Sequence, residues 1–117
     1  MSEADTPPAS VLFACTHNSI RSPMAAELMR MQFGSAVRVD SAGLRPAEEV
    51  SYMAAFVMDE VGGDISGVKP KGFDFFETDY YEDGPFDLIV SLSPEAHHTA
   101  LALIPKLAAA AEYWPTF

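Results

Sequence analysis

Cys15 is the only cysteine of the chain and is separated from Arg21 by five residues, in the run Cys15-Thr16-His17-Asn18-Ser19-Ile20-Arg21-Ser22. A thiol, a short loop, a guanidinium and a Ser-Pro helix opening together suit a tetrahedral oxyanion. Successive backbone N–H groups in a tight turn converge as a nest, and a helix start adds N–H groups and a positive dipole. Arg21 offers a planar fork matched to two anion oxygens, which a lysine would not reproduce. The thiolate is the attacking form of cysteine. A helix dipole stabilises such a charge by at most about 2 kcal/mol, and each hydrogen bond to it by about 1.5–3 kcal/mol. The Ser22 hydroxyl is a candidate donor. The chemistry expected is attack by Cys15 on a bound oxyanion, with Thr16, His17, Asn18, Ser19 and Ile20 supplying the loop.

Such a loop needs a rigid strand before it and a helix after it. Residues 10–16 (SVLFACT) form an uncharged, partly β-branched run that suits a strand buried on both faces of a parallel sheet. Ser22-Pro23 reads as N-cap and first helical residue, and Gly34 as the stop. Met24, Leu28 and Met31, with Met29 and Phe33, give that helix its apolar face. A second strand is expected over 36–42, where alternation indicates an outer position. A second helix is expected from the spacing of Val50, Met53, Ala54, Val57 and Val61, closed by Gly62-Gly63. Residues 64–85 read as a loop with a short helix, whose aromatic rings cover the sheet. Residues 86–92 (FDLIVSL) read as a third buried strand, Ser93-Pro94 as the opening of a helix reaching about 104, and 111–114 as a fourth strand. Alternating strands and helices predict an α/β fold: a parallel four-stranded sheet with helices on both faces. In such sheets ligands bind beyond the carboxyl ends of the strands, where the Cys15 loop lies.

Composition narrows the function. The 117 residues suit one domain, with 1–9 as a disordered lead-in and 10–117 as the folded unit. A formal charge of −10 with dispersed basic residues disfavours nucleic acid and anionic membranes as partners. No apolar stretch reaches membrane-spanning length and no signal region leads the chain, so a cytoplasmic protein is expected. A single cysteine leaves no intrachain disulfide and no multi-cysteine metal motif. His97 and His98 are adjacent and point in different directions on a helix, so no metal site is expected with His17 and Cys15. His17 itself is a loop position chosen for its backbone rather than a catalytic group.

The string VLFACTHNSIRSPMAAELM, followed by VDSAG, resembles the low-molecular-weight protein tyrosine phosphatase family and the arsenate reductases that share its fold. The likeness runs in order through nearly the whole chain, taking in DSAG at 40–43, DIS at 64–66 and the strand FDLIVSL. It implies a flavodoxin-like, phosphotyrosine phosphatase I-like domain hydrolysing phosphotyrosine or other aryl phosphate monoesters through a cysteinyl-phosphate, without metal or cofactor. In that reading Cys15 attacks phosphorus, Arg21 holds the equatorial oxygens and Ser22 stabilises the thiolate. Asn18 sets a left-handed turn, and Ser41 braces the loop by a hydrogen bond to Asn18. The implied partners are phosphate, arsenate or a similar oxyanion, and a phosphorylated protein or small aryl phosphate.

The sequence departs from the family pattern in three places. The family's general-acid Asp-Pro follows its last strand, and this chain, read against it, is cut short at Trp114-Pro115-Thr116-Phe117 just before that point. His17 and Ile20 replace a glycine and a second loop cysteine, and Leu44-Arg45-Pro46 carries no aromatic. Two other readings therefore stand beside the phosphatase: an arsenate reductase using an external thiol, and an inactive oxyanion-binding module.

Overall fold

The computed structural model describes residues 9–17, 20–77, 86–104 and 107–114. The uncharged run becomes strand β1 (Ser10–Cys15), all six residues of which are buried. Parallel partners lie along both of its edges, and helices cover both of its faces. On one side β2 (Arg38–Gly43) pairs from Ser10↔Arg38 to Cys15↔Gly43. On the other, β3 (Phe86–Ser91) pairs from Val11↔Leu88 to Ala14↔Ser91, and β4 (Ala108–Tyr113) lies beyond it. The order β2-β1-β3-β4 is the expected parallel four-stranded sheet. The outer position read from the alternation in β2 is confirmed.

Helix α1 (Arg21–Phe33) covers one face, where Ala26 packs on Val11, Phe13, Val39 and Val90. Helix α4 (Pro94–Ala102) covers the other, with Ala96 and Ala100 against Leu12, Ile89 and Ala108. The short α3 (Asp74–Glu77) adds Phe76, and Phe73 beside it, to that second face. These buried rings fulfil the role expected of the aromatic segment, whereas Phe75 is exposed and residues 78–85 lie outside the described residues. Helix α2 (Tyr52–Glu60) packs beside α1 through Val50, Ala54, Met58 and Ile65, with Met24 against them.

Four readings are corrected. The helix after the loop opens at Arg21, so Ser22 is its second residue and not its cap. Its buried side is Ser22, Pro23 and Ala26, while Leu28 is 50% and Met31 46% exposed. Met24 and Met29 of the expected face do pack against the core, but close approach of α1 to the sheet selects small residues, so Leu28, Met31 and Phe33 are left outside. In α2 the buried residues are Ala54 and Met58, with Val50 before them; Met53, Val57 and Val61 face outward. Strand β4 begins at Ala108, so the alanine run that carries no strand signal of its own is extended because β3 offers it a ladder. At Ala9 the chain is already tied to the sheet. Its N–H donates to the Asp87 carboxylate at 2.9 Å and its carbonyl accepts from Arg38. Residues 1–8 lie outside the described residues.

Candidate active site

Strands β1 and β3 are neighbours, yet the helices that follow them leave to opposite faces of the sheet. This opens a crevice at the carboxyl ends of the two strands, the usual ligand position in such folds. Main-chain hydrogen bonds hold both walls against the loop. Leu44, Arg45 and Ala47 donate to the carbonyls of Cys15, Thr16 and His17 at 3.2, 2.9 and 2.9 Å, and Leu92 donates to Ala14 at 2.7 Å. The loop is thereby fixed from the β2 side and the β3 side at once.

Cys15 is buried at the end of β1, and its Sγ lies 3.0 Å from the Ser22 Oγ. Ser22 is itself fully buried, and its hydroxyl also stands 3.4 Å from the Ala42 carbonyl. With sulfur as thiolate, the hydroxyl donates to it, a contact worth about 1.5–3 kcal/mol. The helix reaches this point because Pro23 sits in the first turn, where no intrahelical N–H bond is required of it. The first intrahelical bond of the turn runs from the Met24 N–H to the Ile20 carbonyl at 3.2 Å, and the N-cap residue, Ile20, makes no side-chain cap. A helix start of this kind carries N–H groups that its own ladder does not use.

Arg21 Nη1 donates to the Leu92 carbonyl at 2.9 Å, which anchors the guanidinium across the crevice to the segment after β3. Thr16 Oγ1 donates to Ser93 Oγ at 3.3 Å, a second tie over the same gap. His17 is exposed, with Nδ1 3.1 Å from the Arg45 carbonyl, a position that suits its exclusion from the catalytic set. Ile20 is the N-cap of α1 and half-exposed. Asn18 and Ser19 lie outside the described residues, as does the Asn18 end of the brace expected from Ser41. Ser41 itself is buried on β2. The DSAG run has a visible packing role: Ala42 presents its carbonyl to Ser22, and Gly43 donates to Lys71 at 2.8 Å and bridges Gly72. In DIS, Asp64 Oδ1 accepts from the Ser66 N–H at 3.0 Å and from its hydroxyl at 2.6 Å. This turn delivers Ile65 into the pocket between α1 and α2.

Sequence reasoning missed the Leu92 carbonyl, the Ser93 hydroxyl and the Arg45 main chain as parts of the site. Only the second had a local signal, since Ser93-Pro94 marks a helix start. The other two act through backbone groups that any residue carries. Asp87 lies at the amino end of β3, bonded to Ala9 and Ser10, away from the thiol; Asp83 lies outside the described residues. Among the described residues no three His, Cys, Asp or Glu side chains group to hold a metal, and no helix is long and apolar enough to cross a membrane.

Residues 10–114 match the family model of the low molecular weight phosphotyrosine protein phosphatases. The chain belongs to that family. It is 36% identical over 103 residues to the protein-arginine-phosphatase of Geobacillus stearothermophilus, covering 82% of this chain and 70% of that one. It is 35% identical over 82 residues to the glutaredoxin arsenate reductase of a Synechocystis species, covering 70% of this chain and 58% of that one. A tyrosine phosphatase of Erwinia amylovora superposes with a TM-score of 0.72 over 93% of this chain and 70% of its own, at 18% identity. That last likeness is one of fold. The family assignment agrees with the resemblance carried by VLFACTHNSIRSPM.

Proposed function

We propose that this chain is a cysteine-dependent phosphatase acting on phosphate monoesters through a cysteinyl-phosphate. The observation that carries the reading is the 3.0 Å contact between Cys15 Sγ and Ser22 Oγ at the head of α1. In the first step the thiolate of Cys15 forms a bond to phosphorus while the bond from phosphorus to the leaving oxygen breaks. Arg21 and the N–H groups of the loop and first helical turn take up the charge on the three remaining oxygens. In the second step water adds to phosphorus, and the thiolate is released to its hydrogen bond with Ser22.

Among the described residues, three carboxylates on or after the strands in sequence already have partners. Glu95 is 3.1 Å from Arg45, Glu112 accepts from the Trp114 ring N–H at 3.1 Å, and Glu49 accepts from Tyr52 at 3.4 Å. Each is engaged as an acceptor. Aryl phosphates, phosphotyrosine included, leave with least help from a proton donor and are the substrates this reading favours. Protonation by a positioned acid is worth roughly 10²–10⁴-fold, so alkyl phosphates should turn over more slowly by a factor of that order. Cys15→Ser should abolish hydrolysis of para-nitrophenyl phosphate while phosphate binding, followed by titration calorimetry, persists. Undiminished turnover in that variant would sink the mechanism.

The 35% identity to a glutaredoxin arsenate reductase favours a second reading. There Cys15 displaces hydroxide from arsenate, forming a bond between sulfur and arsenic. An external thiol then attacks the Cys15 sulfur, the bonding pair stays on arsenic, and arsenite leaves. A second thiol resolves the mixed disulfide, since the chain holds no other cysteine. Arsenite formed from arsenate and glutathione would support it, and no turnover with glutathione or a dithiol donor would eliminate it.

A further inference from the structure

We propose that the outer face of α2 docks a basic amphipathic segment of a partner protein. A surface helix ordinarily buries one apolar stripe and turns charged residues to water. Helix α2 buries Ala54 and Met58 and then turns a second apolar set outward: Tyr52 is 84%, Met53 70% and Phe56 63% exposed, with Val57 and Val61 also in solvent. Met53, Phe56 and Val57 follow the i, i+3, i+4 spacing that places side chains in one ridge. Val61 continues it one turn further on.

The ridge does not stop at the end of α2. Gly62 takes the left-handed conformation with φ 91°, and a side chain on Gly63 would meet Met58 at 2.8 Å and Met31 at 3.1 Å. The half-exposed Met31 of α1 therefore lies against this turn and extends the apolar surface. Contiguous exposed apolar surface of this kind marks interaction sites on soluble domains.

The charge pattern identifies the occupant. Residues 46–68 carry Glu48, Glu49, Asp59, Glu60 and Asp64 and no Lys, Arg or His. All five acids are exposed. An apolar ridge flanked by five acids, with Lys69 the one base beside Glu48, Glu49 and Tyr52, complements a helix with apolar residues on one side and Lys or Arg beside them. A second copy would bring the same acids against themselves at a net charge of −10 for each chain, and an anionic membrane would be repelled in the same way. Nothing in this surface uses Cys15, so docking and catalysis are separable by experiment.

The probe is a synthetic amphipathic peptide with leucines at helical spacing and lysines between them, compared with its glutamate counterpart. The lysine peptide should bind and protect the amides of α2 from hydrogen exchange, with binding weakening as salt rises. Phe56→Ser should weaken it by about tenfold or more, as loss of a buried phenyl ring implies. Glu60→Lys should weaken it as well, and both variants should hydrolyse para-nitrophenyl phosphate as the parent does. The proposal is overturned if the two peptides bind equally or not at all, or if protection maps to the Cys15 loop. It is equally overturned if sedimentation shows a dimer that Phe56→Ser dissociates, or if phosphatidylserine vesicles bind the chain through the same residues.

Discussion

The dipeptide Ser-Pro opens a helix twice in this chain, after β1 and after β3, and the two serines do different work. At Ser93 the expected geometry holds: its backbone is extended, its hydroxyl accepts from the Ala96 N–H at 3.2 Å, and Pro94 is the first helical residue. At Ser22 the helix has begun one residue earlier, and the hydroxyl faces the Cys15 sulfur. The difference lies in what the preceding loop does. The bend from β3 to α4 is short and its serine is free to cap. At α1 the N-cap residue is Ile20, whose side chain has no oxygen to cap with. A cap contributes typically about 1 kcal/mol, and the N-cap residue of α1, Ile20, makes no such side-chain bond.

The largest effect expected around this comparison is at Arg21. Arg21→Lys removes the planar fork and should lower kcat/KM for para-nitrophenyl phosphate by about 10²–10³-fold, the usual cost of losing one oxyanion-stabilising donor. Next comes Ser22→Ala, which should lower kcat by about 10- to 100-fold with little change in the urea midpoint, as loss of a hydrogen bond to a charged sulfur implies. Ser93→Ala should show the reverse balance: about 0.5–2 kcal/mol of stability lost in urea unfolding, with a smaller loss of activity. If the two alanine variants gave the same ratio of activity loss to stability loss, the division between the serines would collapse.

The smallest effect concerns a third local motif, the turn at Asp64. The Ser66 hydroxyl, then the Ser66 N–H, hold the Asp64 carboxyl below its ordinary 3.8. A folded value below the unfolded one means stability that is present above about pH 4 and lost as pH falls through the folded value. Asp64→Asn should therefore lower the thermal midpoint slightly at neutral pH, and the gap from the parent should close in acid. A gap that persisted unchanged to pH 3 would point to the turn's shape rather than its charge.

Much of the site was legible because its chemistry is local in sequence. Cys15, Arg21 and Ser22 fall in one strand-loop-helix unit, and the resemblance to the family rests on that unit. The fold was legible for the same reason that β1 is: a short uncharged apolar run bounded by turn residues has few alternatives to a buried parallel strand. What failed were the helix faces. Periodicity counts large apolar residues, yet α1 approaches the sheet through Ser22 and Ala26, and α2 carries apolar residues on both sides.

The sequence by itself determined the spacing of thiol and guanidinium and the order of strands and helices, because these depend on residue type and on spacings of a few residues. Tertiary structure alone decided that Ser22 does not cap α1, that Leu92 and Arg45 hold the loop through their backbones, and that α2 leaves an apolar ridge in water. Those outcomes depend on where distant segments meet. Backbone donors and acceptors are common to nearly every residue, so no local pattern announces which of them a crevice will use.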